Sequence, residues 1–206
     1  MEQDAWDQRY AGPDLVWGAG PNMFVVEQIT GMRPGRAIDL ATGEGRNAIW
    51  LASQGWQVTG VDFSPVGLAR AASLAADRGV EVEWVAADLR EYQPEPGRYD
   101  LVLIAYLQLP AERFAAVLKR AAAAVAPGGT LLVVSHDKDN LTRGVGGPQD
   151  QAMLHTADQI TASLPELTVT FAGQRTRPVT TGQGEREAID TLVLAVRQAQ
   201  DAPVAR

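Results

Sequence analysis

The stretch Ala37-Ile-Asp-Leu-Ala-Thr-Gly-Glu-Gly-Arg-Asn-Ala48 decides the fold of this chain. Its apolar start predicts a buried strand, Gly43 and Gly45 predict a tight turn, and the residues after them predict the first turn of a helix. Glycine has no side chain to keep a ligand away from the backbone. A helix N-terminus adds free N–H groups and the positive end of the helix dipole. The turn therefore predicts a site for a nucleotide-like ligand with a negatively charged end.

Acidic residues mark three of the predicted strands. Asp39 lies inside the first strand, four residues before Gly43. Asp62 ends the second strand and Asp88 ends the third. A carboxylate at the end of the second strand can accept hydrogen bonds from both hydroxyls of a ribose, and Asp88 can accept one from an adenine amino group. Together with the glycine turn, these acids indicate a ligand that contains ribose and adenine.

Two ligands fit this arrangement. Gly43-x-Gly45-x-x-Ala48 matches the G-x-G-x-x-G/A pattern of dinucleotide-binding enzymes, but that match alone is a weak signal. Asp39 favours S-adenosylmethionine instead, because its carboxylate can meet an ammonium group and would repel a pyrophosphate. An NAD(P)-dependent oxidoreductase would also need an acid–base pair such as Tyr-x-x-x-Lys, and neither Tyr92 nor Tyr106 is followed by a lysine at that spacing.

The order of the motifs resembles a known family. After the glycine turn, Asp62 and Asp88, the run Pro127-Gly128-Gly129 leads into a predicted strand at Thr130–Ser135. Over about residues 22–197 the chain resembles the class I S-adenosylmethionine-dependent methyltransferases. This resemblance implies S-adenosylmethionine as cofactor, S-adenosylhomocysteine as its product, and methyl transfer as the reaction.

A closer resemblance is to the tellurite-resistance and thiopurine S-methyltransferase-like group. It is carried by Gly43-x-Gly45-Arg46-Asn47, by Leu51–Ser64, by Trp6-x-x-Arg9-Tyr10 and by Trp17-x-x-x-Pro21-Asn22. That group methylates thiols and oxyanions of selenium or tellurium, so the resemblance implies a soft S, Se or Te acceptor. Small-molecule O- or N-methyltransferases share the same cofactor half and are the alternative. A non-catalytic cofactor-binding module is an alternative from another class.

The predicted cofactor contacts all lie at or just after strand ends. They are Asp39, Leu40, Ala41, Gly43, Gly45, Arg46, Asp62, Phe63, Ser64, Asp88, Leu89, Ala105 and Tyr106. We expect Asp39 to orient the methionine ammonium group and Arg46 to pair with the methionine carboxylate. Phe63 is placed to stack on adenine, and Leu89 is placed to donate to it through its backbone N–H.

The N-terminal segment, residues 1–21, is unusually aromatic. Trp6, Arg9, Tyr10 and Trp17 predict either a packed N-terminal helix or a lid that shields cofactor and substrate from water. In the lid interpretation, Trp6, Arg9 and Trp17 contact the substrate and Tyr10 is a candidate catalytic residue.

A second candidate lies after the fifth strand, where His136 and Asp137 follow one another. His136 is a candidate general base for an O–H or N–H nucleophile, and the plainer interpretation is a hydrogen-bonded loop histidine. Asp137 is a candidate substrate contact. Methyl transfer needs mainly proximity and orientation from the protein, so no catalytic motif is obligatory.

Strand and helix signals alternate five times and then give way to a hairpin. This predicts an α/β, doubly wound, Rossmann-like fold with a mostly parallel seven-stranded sheet, an antiparallel last strand and helices on both faces. We expect one domain over residues 1–206, with a lid segment at 1–21, a core at 22–197 and a frayed tail at 198–206. The strands are predicted at Arg36–Leu40, Gln57–Val61, Glu81–Ala86, Tyr99–Ala105, Thr130–Ser135, Thr168–Thr176 and Asp190–Arg197. The segment Asp137–Gln151 is predicted as a loop.

Composition narrows the classes of partner. The chain has 206 residues, 46% of them hydrophobic, no cysteine and a formal net charge of −7. The charge disfavours nucleic acid, because phosphate binding needs clustered Lys and Arg. Enzymes that methylate bases or glutamine side chains resemble one another in an Asp/Asn-Pro-Pro-aromatic run after strand four. This chain lacks that run, which favours a small-molecule acceptor. Its acidic N-terminus and its lack of a membrane-spanning stretch predict a cytoplasmic protein. We expect no metal site, and oligomeric state is not predicted.

Overall fold

The computed structural model describes residues 3–182 and 184–199. Its sheet has seven strands: β1 Arg36–Leu40, β2 Gln57–Asp62, β3 Glu83–Ala86, β4 Tyr99–Ala105, β5 Val125–His136, β6 Thr168–Thr181 and β7 Gly184–Val196. The spatial order is β3-β2-β1-β4-β5-β7-β6. Strands β1 to β5 pair in parallel, and β7 is antiparallel to both β5 and β6. The predicted doubly wound fold with an antiparallel last strand is confirmed.

The helices begin where the sequence supplies caps. They are α1 Gln3–Tyr10, α2 Met23–Ile29, α3 Arg46–Ser53, α4 Pro65–Asp77, α5 Ala111–Ala124, α6 Asn140–Arg143 and α7 Ala157–Thr161. The Asn22 side chain accepts hydrogen bonds from the first turn of α2, and Ser64 does the same for α4, which has proline at its first position. A capping box between Thr156 and Gln159 starts α7.

Strand β4 explains why the sheet is covered on both faces. Leu101, Val102, Leu103 and Ile104 are all fully buried. Val102 and Ile104 join a core cluster with residues of α5 and α7, whereas Leu101 and Leu103 join a second cluster with residues of α2 and α3. Side chains alternate across a strand, so a continuous apolar run buries both faces of the sheet. The carboxyl ends of β1, β2 and β4 then open at one edge.

Several predicted boundaries were wrong. Strand β3 begins at Glu83 rather than Glu81, and β5 begins at Val125, so Pro127-Gly128-Gly129 lies inside it, next to a register shift against β4. Strand β6 extends past its predicted end Thr176 to Thr181, and β7 begins at Gly184 rather than Asp190, because each backbone finds its ladder partner in the other strand.

The predicted loop Asp137–Gln151 contains α6 and the start of a 3₁₀ turn, Gln151–Met153. Of the predicted frayed tail, residues 200–206 lie outside the described part of the chain, as do residues 1–2 of the predicted lid.

Candidate cofactor and acceptor site

The turn after β1 has three residues in the left-handed region. Gly43 has φ 57° and Gly45 has φ 78°, which glycine adopts without steric cost, whereas Ala41 at φ 66° does carry a Cβ. A Cβ on Gly45 would lie 2.7 Å from the Trp84 ring, so glycine is needed there for packing as well. A Cβ on Gly43 would lie 2.7 Å from the Tyr10 hydroxyl. The turn therefore packs against Trp84 at Gly45 and against Tyr10 of the N-terminal helix at Gly43.

Asp39 is buried under this turn. Its Oδ2 accepts a hydrogen bond of 2.7 Å from the Thr42 hydroxyl, and its Oδ1 has no hydrogen-bond partner among the described residues. Burial raises the pKa of Asp39 to about 7, although the Thr42 hydrogen bond and the charge of Arg46 oppose the shift. A cation close to Asp39 would relieve this cost, as the predicted contact with an ammonium group requires.

Asp62 joins the two neighbouring turns. Its Oδ2 accepts from the backbone N–H of Gly43 and its Oδ1 from that of Ser64, both at 2.9 Å. Burial raises the pKa of Asp62, against the effect of these hydrogen bonds. Because each carboxylate oxygen can accept two hydrogen bonds, both oxygens retain capacity for a diol.

Asp88 is already engaged by a residue that the sequence analysis missed. It forms an ion pair with Arg90, whose Nη2 lies 2.5 Å and whose Nε lies 2.7 Å from Asp88 Oδ2. The hydrogen bonds and charge of Arg90 lower the pKa of Asp88, outweighing its modest burial. Because Arg90 follows Asp88 by only two residues, the spacing of an acid and a base at i and i+2 could have predicted this ion pair. The predicted contact with adenine would have to share this carboxylate.

A cavity opens at this edge of the sheet, and we call it the cofactor cavity. Its lining includes nine of the predicted cofactor residues: Ala41, Gly43, Arg46, Asp62, Phe63, Asp88, Leu89, Ala105 and Tyr106. The other predicted cofactor residues, Asp39, Leu40, Gly45 and Ser64, are absent from the lining. Trp6, Tyr10 and Trp17 complete the wall from the N-terminal segment, and Arg9 lines an adjoining cavity.

The N-terminal segment is packed against the cofactor half by side chains from the core. Arg70 donates to the backbone carbonyls of Tyr10 and Gly12 at 2.7 and 3.0 Å, and Arg46 donates to that of Trp17 at 3.1 Å. Glu44 accepts from the backbone N–H of Val16 at 2.9 Å. Neither contact was predicted, because Glu44 is the variable position of the Gly43-x-Gly45 turn and Arg70 belongs to no recognisable motif.

Tyr10 lies at the centre of this contact. It is buried, and its ring stacks with that of Trp6 at 5.5 Å between centroids. Burial and the negative charge of Asp62 raise the pKa of Tyr10 above its ordinary range. The phenol is therefore neutral at neutral pH and can only donate or accept a hydrogen bond.

Tyr106 follows β4 and is held by a buried polar network. It has φ 60°, an unusual value for a bulky residue. Its hydroxyl donates to Asp190 Oδ2 at 2.8 Å and accepts from Asn22 Nδ2 and Arg177 Nε, both at 3.1 Å. A strained backbone conformation persists only where many surrounding contacts hold it, and such residues often line functional sites. The ring of Tyr106 is accordingly part of the cavity wall.

His136, the candidate general base, is the last residue of β5 and belongs to this network. Its Nδ1 lies 3.0 Å from Asp190 Oδ1, its ring lies 4.5 Å from that of Tyr106, and it is absent from the cavity lining. Burial would raise the pKa of Asp190, but the hydrogen bond from His136 and the charge of Arg177 outweigh it and lower the pKa. Arg177 on β6 also joins this network, since its Nε donates to Asp190 at 2.7 Å.

Asp137 is also tied into the scaffold. Its carboxylate accepts from Gln174 Nε2 at 2.9 Å and from the Thr191 hydroxyl at 2.5 Å, and it too is absent from the cavity lining. The other histidine, His155, stacks on Phe114 with 4.1 Å between ring centroids. Burial lowers the pKa of His155 to about 4, so this side chain is neutral at neutral pH. Within residues 3–182 and 184–199, no group of acids or histidines suits a metal ion, and no helix is long and apolar enough to cross a membrane.

Comparison with protein families agrees with this geometry. Residues 37–129 match the family described as a methyltransferase domain. A demethylmenaquinone methyltransferase from Thermus thermophilus is 34% identical over 125 residues, which are 60% of this chain and 55% of that protein. A 2-heptyl-1-hydroxyquinolin-4(1H)-one methyltransferase from Mycobacteroides abscessus is 27% identical over 71% of this chain and 70% of its own. The chain therefore spans little more than half the length of the Thermus relative.

Solved structures share the fold. A protein solved in a study of the conversion of a disulfide into a thioacetal during echinomycin biosynthesis has a TM-score of 0.78 at 19% identity, covering 99% of this chain and 95% of its own. TehB from Haemophilus influenzae has a TM-score of 0.72 at 18% identity, covering 95% and 67%. The N-methyltransferase NodS from Bradyrhizobium japonicum, solved with S-adenosylhomocysteine, has a TM-score of 0.69 at 17% identity, covering 95% and 97%.

The comparisons agree on one kind of domain. Residues 37–129 match a methyltransferase domain, and the seven-stranded fold is shared with solved methyltransferases, one of which holds S-adenosylhomocysteine. The likeness to TehB concerns the fold alone, so it leaves the predicted subgroup as a hypothesis.

Proposed function

We propose that this chain, as a single domain over residues 1–206, transfers the methyl group of S-adenosylmethionine to a small-molecule acceptor. The observation that carries the proposal is the buried pair of acids beside the glycine turn. Asp39 has an oxygen without a partner among the described residues, and Asp62 lines the cavity with accepting capacity left. An ammonium group and a ribose diol are the groups of S-adenosylmethionine that complement them.

The cavity lining supports an assignment for the rest of the cofactor. Arg46 uses one N–H for the Trp17 carbonyl, and the rest of its guanidinium can meet the methionine carboxylate. Phe63 and Leu89 flank the adenine in this assignment, and Asp88 accepts from the adenine amine while it keeps its ion pair with Arg90. Tyr106 and Ala105 then lie on the side where the sulfonium meets the acceptor.

The reaction is an in-line displacement. A lone pair on the acceptor forms a bond to the methyl carbon, the bond from that carbon to sulfur breaks, and its electron pair stays on sulfur to give S-adenosylhomocysteine. S-adenosylmethionine supplies the activated methyl group, and the protein supplies proximity and orientation. A thiolate or an oxyanion of selenium or tellurium loses no proton in this step, whereas a hydroxyl or amine acceptor does.

We propose a soft S, Se or Te nucleophile as the acceptor atom. The cavity lining of the described residues contains no histidine, because His136 is buried against Asp190. Tyr10 is not available as a base, since burial and the charge of Asp62 raise its pKa and keep the phenol protonated. A site without an evident base suits a nucleophile that is already deprotonated.

Methylation of an O or N atom on an aromatic molecule is the second candidate. It is favoured by the Mycobacteroides relative, whose name gives a hydroxyquinolone as its acceptor. A small molecule is favoured over nucleic acid in both cases, because the net charge is −7 and the cavity is enclosed by Trp6, Tyr10 and Trp17.

Transfer of labelled methyl from S-adenosylmethionine to a panel of acceptors tests the proposal. The panel contains thiols, selenite, tellurite, phenols and heteroaromatic amines, and volatile products are trapped. We expect label on sulfur, selenium or tellurium. Label on oxygen or nitrogen alone would replace the first candidate by the second. If S-adenosylhomocysteine binds but no acceptor is labelled, the chain behaves as a non-catalytic module and the proposed reaction fails.

A further inference from the structure

A second cavity adjoins the cofactor cavity, and we call it the outer cavity. Its lining comprises Arg9, Trp17, Gln108, Gly147, Pro148, Gln149, Asp150 and Met153. Trp17, Gln108 and Met153 line both cavities. A molecule in the outer cavity would therefore lie between the N-terminal segment and the 147–153 segment, next to the wall that encloses the cofactor.

The arginine in the outer cavity is held by two indole rings. The Arg9 Cζ lies 5.2 Å from the ring centroid of Trp6 and 5.2 Å from that of Trp17, and the two rings are 6.0 Å apart. Cation–π contacts of this kind contribute about 0.5–1 kcal/mol each at exposed sites. The two contacts together hold the Arg9 guanidinium against the indole rings, whereas an arginine side chain on the surface is otherwise flexible.

The charge of Arg9 is not neutralised by the protein. Within residues 3–182 and 184–199, no carboxylate oxygen lies within 4.0 Å of the Arg9 guanidinium. Asp150 also lines the outer cavity, and its Oδ1 accepts a hydrogen bond of 2.9 Å from the backbone N–H of Ala152. In contrast, Arg70 donates to the Tyr10 carbonyl and Arg177 pairs with Asp190. Arg9 thus presents an oriented fork of N–H donors to whatever enters.

The other lining atoms suit an apolar body. Trp17, Pro148 and Met153 provide aromatic and aliphatic surface, and Leu107 and Leu109 continue it on the cofactor side. Ligand sites combine such walls with a few polar groups that fix orientation. A planar guanidinium matches a carboxylate through two parallel hydrogen bonds.

We propose that the outer cavity binds the acceptor and selects an aromatic small molecule that carries a carboxylate, with Arg9 as the residue that determines this specificity. The inference rests on the proposed methyl transfer, since it names the acceptor class of the same site. The carboxylate pairs with Arg9 at the outer end, and the aromatic body lies along Trp17 and Met153. The nucleophilic atom then points from the far end of the ring toward the cofactor cavity.

The test compares two probes of equal shape and different charge. In the presence of saturating S-adenosylhomocysteine, 4-hydroxybenzoate and 4-hydroxybenzamide are titrated by calorimetry into the wild type, Arg9→Gln, Arg9→Lys and Arg33→Gln. Arg33 is an exposed arginine between α2 and β1, so Arg33→Gln is the matched control for loss of one positive charge. We expect the wild type to bind the benzoate at least about tenfold more tightly than the benzamide, as a charge-assisted bidentate contact implies.

In Arg9→Gln this preference should fall to less than about threefold, whereas Arg9→Lys should retain part of it and Arg33→Gln all of it. The affinity for S-adenosylhomocysteine should be unchanged in all four proteins. Equal binding of the two probes by the wild type, no binding of either, or a preference that survives in Arg9→Gln would overturn the inference. Failure of the proposed function has a different signature, namely no binding of S-adenosylhomocysteine or no methyl transfer to any acceptor.

Discussion

The two sides of the cofactor cavity are built by interactions of different range. On the cofactor side, Thr42 bonds to Asp39 across 3 positions, and Gly43 bonds to Asp62 across 19. On the acceptor side, Tyr106 reaches Asp190 and Asn22, each across 84 positions. The cofactor side is formed by the turns that follow neighbouring strands. The acceptor side is formed by a network of side chains from the end of β4, from β7 and from the start of α2. The domain match at residues 37–129 contains the whole of the first arrangement and only one member of the second.

The two ranges of interaction suit two different roles, binding of the cofactor and selection of the acceptor. A turn made of successive residues can be kept intact while the rest of the chain changes, which suits a cofactor shared by many enzymes. A network that needs side chains from distant segments changes whenever one of those segments changes, which suits an acceptor that differs between enzymes. Substitutions on the cofactor side should therefore alter affinity for S-adenosylhomocysteine, and those on the acceptor side should leave it nearly constant.

The largest effect is expected at Asp62. Asp62→Ala should weaken binding of S-adenosylhomocysteine by more than about tenfold, because hydrogen bonds to a charged group contribute about 1.5–3 kcal/mol each. Calorimetric titration measures the effect, and Asp77→Ala, an exposed acid at the end of α4, is the control. Unchanged affinity in Asp62→Ala would remove Asp62 from the cofactor site.

Asp39 should make cofactor binding depend on pH. Its pKa is about 7 in the unliganded protein, and a neighbouring ammonium group would lower that value. The complex then holds fewer protons than the free protein, so affinity increases as pH rises through the pKa. S-adenosylhomocysteine should bind up to about tenfold more tightly near pH 8 than near pH 6. Asp39→Asn should abolish this dependence, and a slope that persists in the variant would assign it to another group.

Tyr106→Phe should separate stability from cofactor affinity. Removing the hydroxyl leaves Asp190 and Asn22 each without one partner, which should lower the free energy of unfolding by about 1–2 kcal/mol. Affinity for S-adenosylhomocysteine should change by less than about twofold, because the ring that lines the cavity is retained. Chemical denaturation and calorimetry measure the two quantities, with Tyr92→Phe as the control. A large loss of cofactor affinity would show that the two sides of the cavity are not separable.

The smallest effect is expected at Ala41. Ala41→Gly should raise the free energy of unfolding by up to about 1 kcal/mol, since a left-handed φ of 66° strains a residue with a Cβ. In Ala52→Gly, inside α3, the same replacement should instead lower it by about 0.5–1 kcal/mol. Denaturant titration of both variants measures the difference, and equal signs would mean that the turn at Ala41 is not strained.

The range of each interaction also explains what sequence reasoning could predict. The glycine turn, the acids at strand ends and the alternation of strands and helices are patterns within short windows, so the fold and the cofactor edge were predictable. His136 was expected to be a candidate base because it follows the predicted fifth strand, Thr130–Ser135, but it is the last residue of β5. Its burial depends on Asp190, 54 positions away, and on Tyr106. The contact between Arg177 and Asp190 was likewise not predictable, because Asp190 is on a neighbouring strand and no local pattern indicates the pairing.

The most direct test of the account is a crystal structure of the wild type with S-adenosylhomocysteine. We expect the ligand in the cofactor cavity, with both ribose hydroxyls on Asp62, the ammonium group next to Asp39 and the adenine beside Phe63. The sulfur should face Tyr106 and the side of the cavity that adjoins the outer cavity. A ligand bound elsewhere, or bound in this cavity with its ribose away from Asp62, would contradict it.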